Sequence, residues 1–273
     1  MRTLLSIAAL AVCVGAQAAP LPCQPQDKID AAAIKAPIVL VGELHGTQEI
    51  PAFVAGLSCS LLRSGRPVVI GLEQLASIQP ELDSFMASDG GAEARRQLAA
   101  SDLGTLRDGR GSMAMLELVE SARAMAKAGA PLKIFAFDPD VDFETWRADP
   151  NRAQQMRDSG MAANIMAMHK AHPGAVMVNL MGTTHAARKR GEVFDTFEPA
   201  AYLVSQQVPT FAISIAEQGG ETWNCIGVRG KPDCAPHALS NTPLDQQGRQ
   251  GEDVLVALGA TKASPPIRQG GAQ

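Results

Sequence analysis

The stretch Pro37-Ile-Val-Leu-Val-Gly-Glu-Leu-His-Gly46 decides the fold that this sequence predicts. Its apolar run, Ile38 to Val41, predicts a buried strand that breaks at Gly42 and delivers Glu43 and His45 into a loop, just before a helical pattern. A strand that ends in an acid and a histidine is typical of α/β sheets that present reactive groups at one edge. The alternative is a plain strand-to-helix turn, in which Glu43 caps the helix and His45 has no chemical role.

Three later segments repeat this pattern of an apolar run followed by polar side chains. Helical patterns separate the runs, and this alternation predicts a three-layer α/β fold, with a mainly parallel sheet covered by helices on both faces. Because the carboxyl ends of parallel strands meet at one edge of a sheet, we expect the polar side chains to gather there. The runs and the residues that follow them are Val68–Leu72 with Glu73, Leu132–Phe137 with Asp138, and Ala175–Met181 with Thr184 and His185.

The remaining segments are predicted to complete a single domain, 20–273. Residues 77–130 form a mostly helical insertion, broken at two Gly-rich turns, that we interpret as a lid or side wall. The tail, 264–273, is polar and is expected to be loose. The other predicted elements are a first helix Gln48–Arg63, a helix Asp149–Ala171 with a core stripe of Met156, Met161, Ile165 and Met168, a fifth strand Phe211–Ile215, and late antiparallel strands at Trp223–Val228 and Asp253–Leu258.

Composition and the first nineteen residues narrow the class of protein. The net charge is −4 and the longest basic cluster is Arg188 to Arg190, so nucleic acid is not an expected partner. Arg2, the apolar run Leu4 to Val14 and a small-residue cleavage site predict a signal peptide over 1–19. The run is too short to span a bilayer, and no other segment is apolar enough for a transmembrane segment. We therefore expect an exported protein, periplasmic or secreted.

Four cysteines remain after removal of the predicted signal peptide. An even number in an oxidising compartment indicates disulfide bonds. Cys225 and Cys234 flank a Gly/Pro-rich turn and form the natural local pair, which leaves Cys23 and Cys59 to tie the N-terminal arm to the first helix. The count alone allows three connectivities. No pair has the C-x-x-C spacing of a zinc–thiolate site.

The residues at the expected sheet edge allow two kinds of chemistry. Two imidazoles and two carboxylates (His45, His185, Glu43 and Glu73) suit a divalent metal such as zinc or manganese. Alternatively, no metal or other cofactor is required, because a histidine held by a carboxylate can take a proton from water. The chain has neither a G-x-S-x-G elbow nor an H-E-x-x-H motif, so water is the expected nucleophile of an enzyme.

Other polar residues are candidates for substrate binding or support. Arg157 shares a face of its predicted helix with Met161 and Asn164, so we expect it to point inward and to pair with Glu43 or Glu73. Support of an acid and binding of a substrate anion are equally open for this arginine. The supporting set is completed by Arg110 in a Gly-rich break, Asp138 before a proline, and Thr184.

Three motifs carry a resemblance to a known superfamily. Gly42-Glu-Leu-His-Gly46 with Glu49 resembles the G-E-x-x-H-G-x-x-E motif of erythromycin esterases, one residue shorter, and its shorter form is similar to the ChaN-type haem-binding proteins and, more distantly, TraB/Tiki proteins. Arg157-Asp158 with Met161-Ala162 and Asn164 resembles their R-D-x-x-M-A-x-N helix. Gly182-Thr-Thr-His185 with Arg188 resembles their G-N-x-H-x-x-R segment, with Thr183 where asparagine is usual.

The resemblance implies a function as well as a fold. In the esterase branch it implies that His45 activates water, with Glu43, Glu73, Arg157 and His185 around it. We therefore expect a hydrolase that cleaves an ester-like or amide-like bond of a small-molecule substrate. The ChaN branch implies haem or metal binding for iron uptake or storage without turnover, with a tyrosine as iron ligand, for which this chain offers only Tyr202. A third possibility is a partner-binding protein that uses the lid.

Overall fold

A six-stranded parallel sheet forms the centre of the protein. The computed structural model describes residues 20–190, 196–228, 231–248 and 251–268, and its main sheet has the strand order β3-β2-β4-β1-β5-β8. The first strand lies in the middle, where it pairs with β4 on one side and β5 on the other. The strands are β1 (Ile38–Glu43), β2 (Val68–Leu75), β3 (Leu132–Asp138), β4 (Val176–Gly182), β5 (Thr210–Ile215) and β8 (Val254–Val256), and a separate antiparallel hairpin comprises β6 (Glu221–Val228) and β7 (Lys231–Ala238).

Helices cover both faces of the sheet, as predicted. Alternate residues of a strand point to opposite faces, so Val39 and Val41 belong to the core on the face covered by α1, α2 and α5, whereas Ile38 and Leu40 belong to the core on the face covered by α7 and α9. In the described part of the chain, no helix is long and apolar enough to cross a membrane. The helices are α1 (Glu49–Arg63), α2 (Gln79–Ala87), α3 (Ala92–Ala100), α4 (Asp102–Thr105), α5 (Met113–Lys127), α6 (Phe143–Ala148), α7 (Pro150–Ala171), α8 (Thr183–Ala186) and α9 (Ala200–Ser205).

The predicted methionine stripe on α7 is wrong at its first residue. Met161 and Ile165 are buried, and Met168 packs at the edge of the core. Met156 is 45% exposed. It precedes Met161 by five positions, which is a rotation of about 140° around a helix, so Met156 lies outside the buried face.

The late strands differ from the prediction. The strand near residue 254 is parallel to β5, not antiparallel. Of the two predicted late strands, β6 alone lies in an antiparallel pair. Its partner, β7, was not predicted. Pro232 and Pro236 interrupt any strand pattern in β7, and proline is tolerated there because an edge strand leaves some backbone N–H groups without a ladder partner.

The expectation of a loose tail is wrong for residues 264–268. Ser264 is buried, its backbone N–H donates to Gly46 O (2.7 Å), and its hydroxyl accepts from Ala114 N (2.9 Å). Ile267 N donates to Gly111 O (2.9 Å). The tail therefore fastens both the loop after β1 and the turn before α5. Residues 269–273 lie outside the described residues.

The disulfide pairing matches the prediction. Cys23 is bonded to Cys59, which ties the N-terminal arm to α1, and Cys225 is bonded to Cys234 across the β6–β7 hairpin. The predicted signal peptide, 1–19, lies outside the described residues.

Candidate functional site

The structure brings the predicted polar residues together at the carboxyl edge of the main sheet. Glu43 and Asp138 are the last residues of β1 and β3, and Glu73 lies near the end of β2. His45 follows β1 by two residues, and His185 lies in α8 directly after β4. Because β2, β4 and β1 are neighbours in the sheet, their ends bring these side chains into one cluster.

His45 is held by one acid and faces a second. Its Nδ1 lies 2.8 Å from Glu43 Oε1, and its Nε2 lies 3.7 Å from Glu73 Oε2. The imidazole is 21% exposed, whereas both carboxylates are buried. The Nδ1 contact fixes the ring orientation and leaves Nε2 facing Glu73 and the backbone of Gly182, with no hydrogen-bond partner among the described residues.

The β6–β7 hairpin fixes the backbone of the His45 loop. Thr222 Oγ1 donates to His45 O, and Trp223 N donates to Gly46 O (2.9 Å). Gly46 has a φ of 82°, and a Cβ at this position would lie 1.9 Å from Trp223 O, so only glycine fits. The hairpin and the tail thus position His45 from outside the main sheet.

The surrounding charges keep His45 protonated at neutral pH. Burial lowers the pKa of His45, but the charges of Glu43 and Glu73 and the hydrogen bond that His45 donates to Glu43 outweigh burial and raise the pKa to about 9. The resting imidazole is therefore a cation paired with Glu43, and its basic form becomes available as the pH approaches that value.

Gly182 provides the space that His45 occupies. A Cβ at this position would lie 2.9 Å from His45 Nε2 and 3.4 Å from Glu73 Oε2. The Gly182 N–H donates to Glu73 Oε2 (2.6 Å), so the same residue also orients the second acid. The glycine of the Gly182-Thr-Thr-His185 motif is required here for close approach of the imidazole to the backbone.

Arg157 lies at the centre of the acidic cluster. Its Nε lies 2.8 Å from Asp138 Oδ1, and its Nη2 lies 2.6 Å from Glu73 Oε1. Burial raises the pKa of Glu73, but the charges of His45, Arg157 and Arg110 outweigh burial and hold the pKa well below its usual range. The expected pairing with an acid is present, to Glu73 and Asp138 rather than Glu43.

Arg110 closes the other side of the acids. Its Nη1 lies 3.0 Å from Asp138 Oδ2 and 3.5 Å from Glu73 Oε1, and its Nη2 lies 2.7 Å from Asp108 Oδ2. Burial lowers the pKa of Arg110, but Asp108, Glu73 and Asp138 together raise it. The Gly-rich turn before α5 therefore faces the cluster.

His185 differs from His45 because both of its ring nitrogens are engaged within the protein. Nδ1 lies 2.8 Å from Asp158 Oδ1, and Nε2 lies 3.0 Å from Arg157 Nη1. A guanidinium can only donate, so Nε2 accepts from Arg157 and the hydrogen-bond network assigns the proton to Nδ1. Thr184 lies beside His185 without a hydrogen-bond partner in the described part of the chain.

Two acids of this network, Asp158 and Asp108, were not predicted as site residues from the sequence. Asp158 is fully buried and also accepts hydrogen bonds from Ala200 N (2.8 Å) and Gln154 Nε2 (2.7 Å). The only available signal was its position beside Arg157 in the R-D-x-x-M-A helix. Asp108 lies two residues before Arg110 in the same turn, a spacing that many solvated turns share.

The arrangement does not fit the predicted metal set. Across the described ranges, no group of three or more His, Cys, Asp or Glu side chains is arranged to hold a metal ion. Glu73 is already neutralised by two guanidinium groups, and His185 has no free nitrogen. Tyr202, the tyrosine considered for haem, lies on α9 and takes no part in the hydrogen bonds of the cluster.

Comparison with known proteins identifies the fold. No family model matches this chain, and no curated protein matches it significantly. An erythromycin esterase variant in its open conformation superposes with a TM-score of 0.57 at 14% identity, over 75% of this chain and 76% of that chain. A succinoglycan biosynthesis protein (TM-score 0.59) and a protein from Bacillus cereus (TM-score 0.55) each match at 10% identity, over 85% of this chain and 90% of theirs. The resemblance expected from the motifs is thus confirmed for the fold, which this chain shares with an erythromycin esterase.

Proposed function

We propose that this protein is a hydrolase in which His45 activates water to cleave an ester-like or amide-like bond. The observation that carries the proposal is the geometry of His45: Glu43 Oε1 lies 2.8 Å from Nδ1, and the partly exposed ring keeps Nε2 without a hydrogen-bond partner among the described residues. A histidine oriented by a carboxylate through one nitrogen is the usual arrangement of a general base. The esterase that shares the fold makes ester cleavage the first reaction to test.

The reaction needs only water and one proton carrier. His45 Nε2 takes a proton from water, and the oxygen of that water bonds to the acyl carbon. The bond from the acyl carbon to the leaving oxygen or nitrogen then breaks, and the imidazolium returns the proton to the leaving atom. Glu43 stabilises the imidazolium during these steps, and Glu73 orients the attacking water.

The raised pKa of His45 determines how the rate of hydrolysis depends on pH. Because the pKa of His45 is raised to about 9, only a small fraction of the imidazole is basic at pH 7. The rate is therefore expected to increase about tenfold per pH unit below that value and to level off above it.

The protein is also proposed to work outside the cytoplasm. Two disulfide bonds join the described cysteines, and disulfides persist in oxidising compartments. Together with the predicted signal peptide, they favour the periplasm or the extracellular medium. Mass spectrometry of the protein secreted from its host, with a new N-terminus near residue 20, would establish this location.

The experiment is a substrate screen with matched variants. Mature protein is assayed with p-nitrophenyl acetate, a macrocyclic lactone and an aryl amide, beside His45→Ala and the control His172→Ala at the far end of α7. We expect hydrolysis that His45→Ala abolishes and His172→Ala leaves intact. A parallel haem titration, with Tyr202→Phe, distinguishes the alternative: a saturable Soret band lost in His45→Ala or Tyr202→Phe, with no hydrolysis, would reject the proposal in favour of haem binding.

A further inference from the structure

A cavity borders the acidic cluster on the side of His185. It has a volume of about 370 Å³, within the range of small-molecule sites. It is formed by α6 and the first turns of α7 on one wall, and by α8 and residues 196–197 on the other. The lining side chains are Trp146, Pro150, Asn151, Gln154, Thr184, His185, Thr196 and Phe197.

The polar groups of this cavity are available for a ligand. Within the described residues, the side chains of Asn151, Thr184 and Thr196 have no hydrogen-bond partner. Gln154 donates its Nε2 to Asp158, which leaves its Oε1 free to accept. Side-chain amides and hydroxyls can both donate and accept hydrogen bonds, so this set matches a ligand whose groups also do both.

An aromatic surface completes the cavity. Trp146 is one of only two tryptophans in the chain, and its indole N–H has no partner in the part of the chain that the structure describes. Phe197 is buried against the cavity. An indole combines a broad apolar face with one donor, which suits a ring that is apolar on its face and polar at its rim.

The charge of the region excludes anionic ligands. Apart from His185, no ionisable side chain lines the cavity among the described residues. The adjacent cluster holds five carboxylates (Glu43, Glu73, Asp108, Asp138 and Asp158) but only two guanidinium groups (Arg110 and Arg157). Even with His45 as a third cation the carboxylates are in excess, and no lysine or arginine lines the cavity among the described residues, so an anion would meet a net negative field.

We propose that this cavity binds a neutral sugar ring of the substrate. The ring stacks one face on Trp146, and its hydroxyls bond to the amides and hydroxyls of the lining. His185 lies on the boundary between the cavity and the acidic cluster, so the bond to be cleaved extends from the sugar toward His45. This inference rests on the proposed hydrolase function, and it adds the substrate class: a neutral glycoconjugate.

The test is a binding titration that needs no turnover. In a Trp223→Phe background, Trp146 is the single tryptophan, and its fluorescence is followed on addition of maltose, cellobiose, lactose and glucuronate. We expect saturable changes with at least one neutral disaccharide, and at least about tenfold weaker binding of glucuronate. Trp146→Ala is expected to weaken disaccharide binding to the unaltered chain, measured by calorimetry, by about tenfold.

A second aromatic residue of α6 provides the control for Trp146→Ala. Phe143→Ala removes an exposed aromatic of the same helix that does not line the cavity, and it should leave binding unchanged. Absence of saturation with every neutral disaccharide, equal binding of glucuronate, or unchanged binding in Trp146→Ala would each overturn the inference. Sugar binding that survives without any ester or amide hydrolysis would reject only the hydrolase, whereas hydrolysis without sugar binding would reject only this assignment.

Discussion

His45 and His185 lie in the same cluster but have different environments. His45 is partly exposed, its Nδ1 contacts Glu43, and its Nε2 has no hydrogen-bond partner among the described residues, since the nearest carboxylate oxygen, Glu73 Oε2, lies 3.7 Å away. His185 is buried, and its two nitrogens are bound to Asp158 and Arg157. A position close to the acids therefore does not by itself make a histidine a general base. A general base also needs a nitrogen without a hydrogen-bond partner, and of these two histidines His45 has one.

The first prediction concerns the loss of that nitrogen. His45→Ala should lower kcat/KM by about 10²–10⁴-fold, the usual contribution of a general base. Steady-state kinetics on the fastest ester of the panel measures the change, and circular dichroism checks that the variant is folded. A rate within threefold of the unaltered protein would contradict the role of His45.

The second prediction concerns Arg157, which contacts His185 and neutralises two buried acids. Arg157→Met should lower the free energy of unfolding by about 3–5 kcal/mol, because Glu73 and Asp138 remain buried after losing a charged partner. Arg147→Met is the control: its ion pair with Glu144 is exposed, so the expected change is about 0–1 kcal/mol. Equal losses in urea denaturation of the two variants would show that Arg157 is not a structural centre.

The third prediction tests the hydrogen bond between Asp158 and His185. Asp158→Asn replaces an acceptor of three hydrogen bonds by an amide of which one end donates, and should cost about 1–3 kcal/mol in unfolding free energy. Nitrogen NMR of the His185 ring should show the proton on Nδ1 in the unaltered protein, because Arg157 can only donate to Nε2. A proton on Nε2 of the unaltered protein would disprove the assignment.

The fourth prediction uses Gly182. A methyl group at this position would crowd His45 Nε2 at 2.9 Å. Gly182→Ala should therefore reduce kcat about tenfold, or roughly 1.4 kcal/mol in the barrier, by displacing the imidazole. Comparison of kcat with the thermal midpoint separates the effects: a large fall in the midpoint with unchanged kcat would mean that this glycine serves only the fold.

The fifth prediction is the pH dependence of stability. His45 has a folded-state pKa of about 9, above its unfolded value, so its stabilising contribution is complete below about pH 6.5 and is lost as the pH rises through 9. The difference in unfolding free energy between the unaltered protein and His45→Ala should shrink over this window. A constant difference from pH 6 to pH 10 would argue against the raised pKa.

The convergence of the site was predictable because it follows from topology. Parallel strands with polar residues after their carboxyl ends must bring those residues to one edge, so Glu43, Glu73 and Asp138 were found from strand positions alone. The first strand proved longer than predicted, because Gly42 and Glu43 continue to pair with Met181 and Gly182 of β4. Gly42 was expected to end the strand, but the hydrogen-bond ladder continues through it.

The parts that were missed depend on contacts between distant segments. The hairpin holds the His45 loop through Thr222 and Trp223, and the tail does so through Ser264. These are mostly backbone hydrogen bonds, which any residue type can make, so they leave no pattern in the sequence. Asp158 was missed for a related reason: its role depends on where α7 places it relative to α8 and α9.

The pH dependence of ester hydrolysis tests most directly whether His45 is the general base of the reaction. We would measure kcat/KM for the fastest ester of the panel from pH 6 to pH 10.5, beside His45→Ala. We expect the logarithm of kcat/KM to rise with unit slope and to level off near pH 9, and the residual rate of the variant to show no such inflection. A profile that is flat across this range, or one that His45→Ala leaves unchanged, would contradict it.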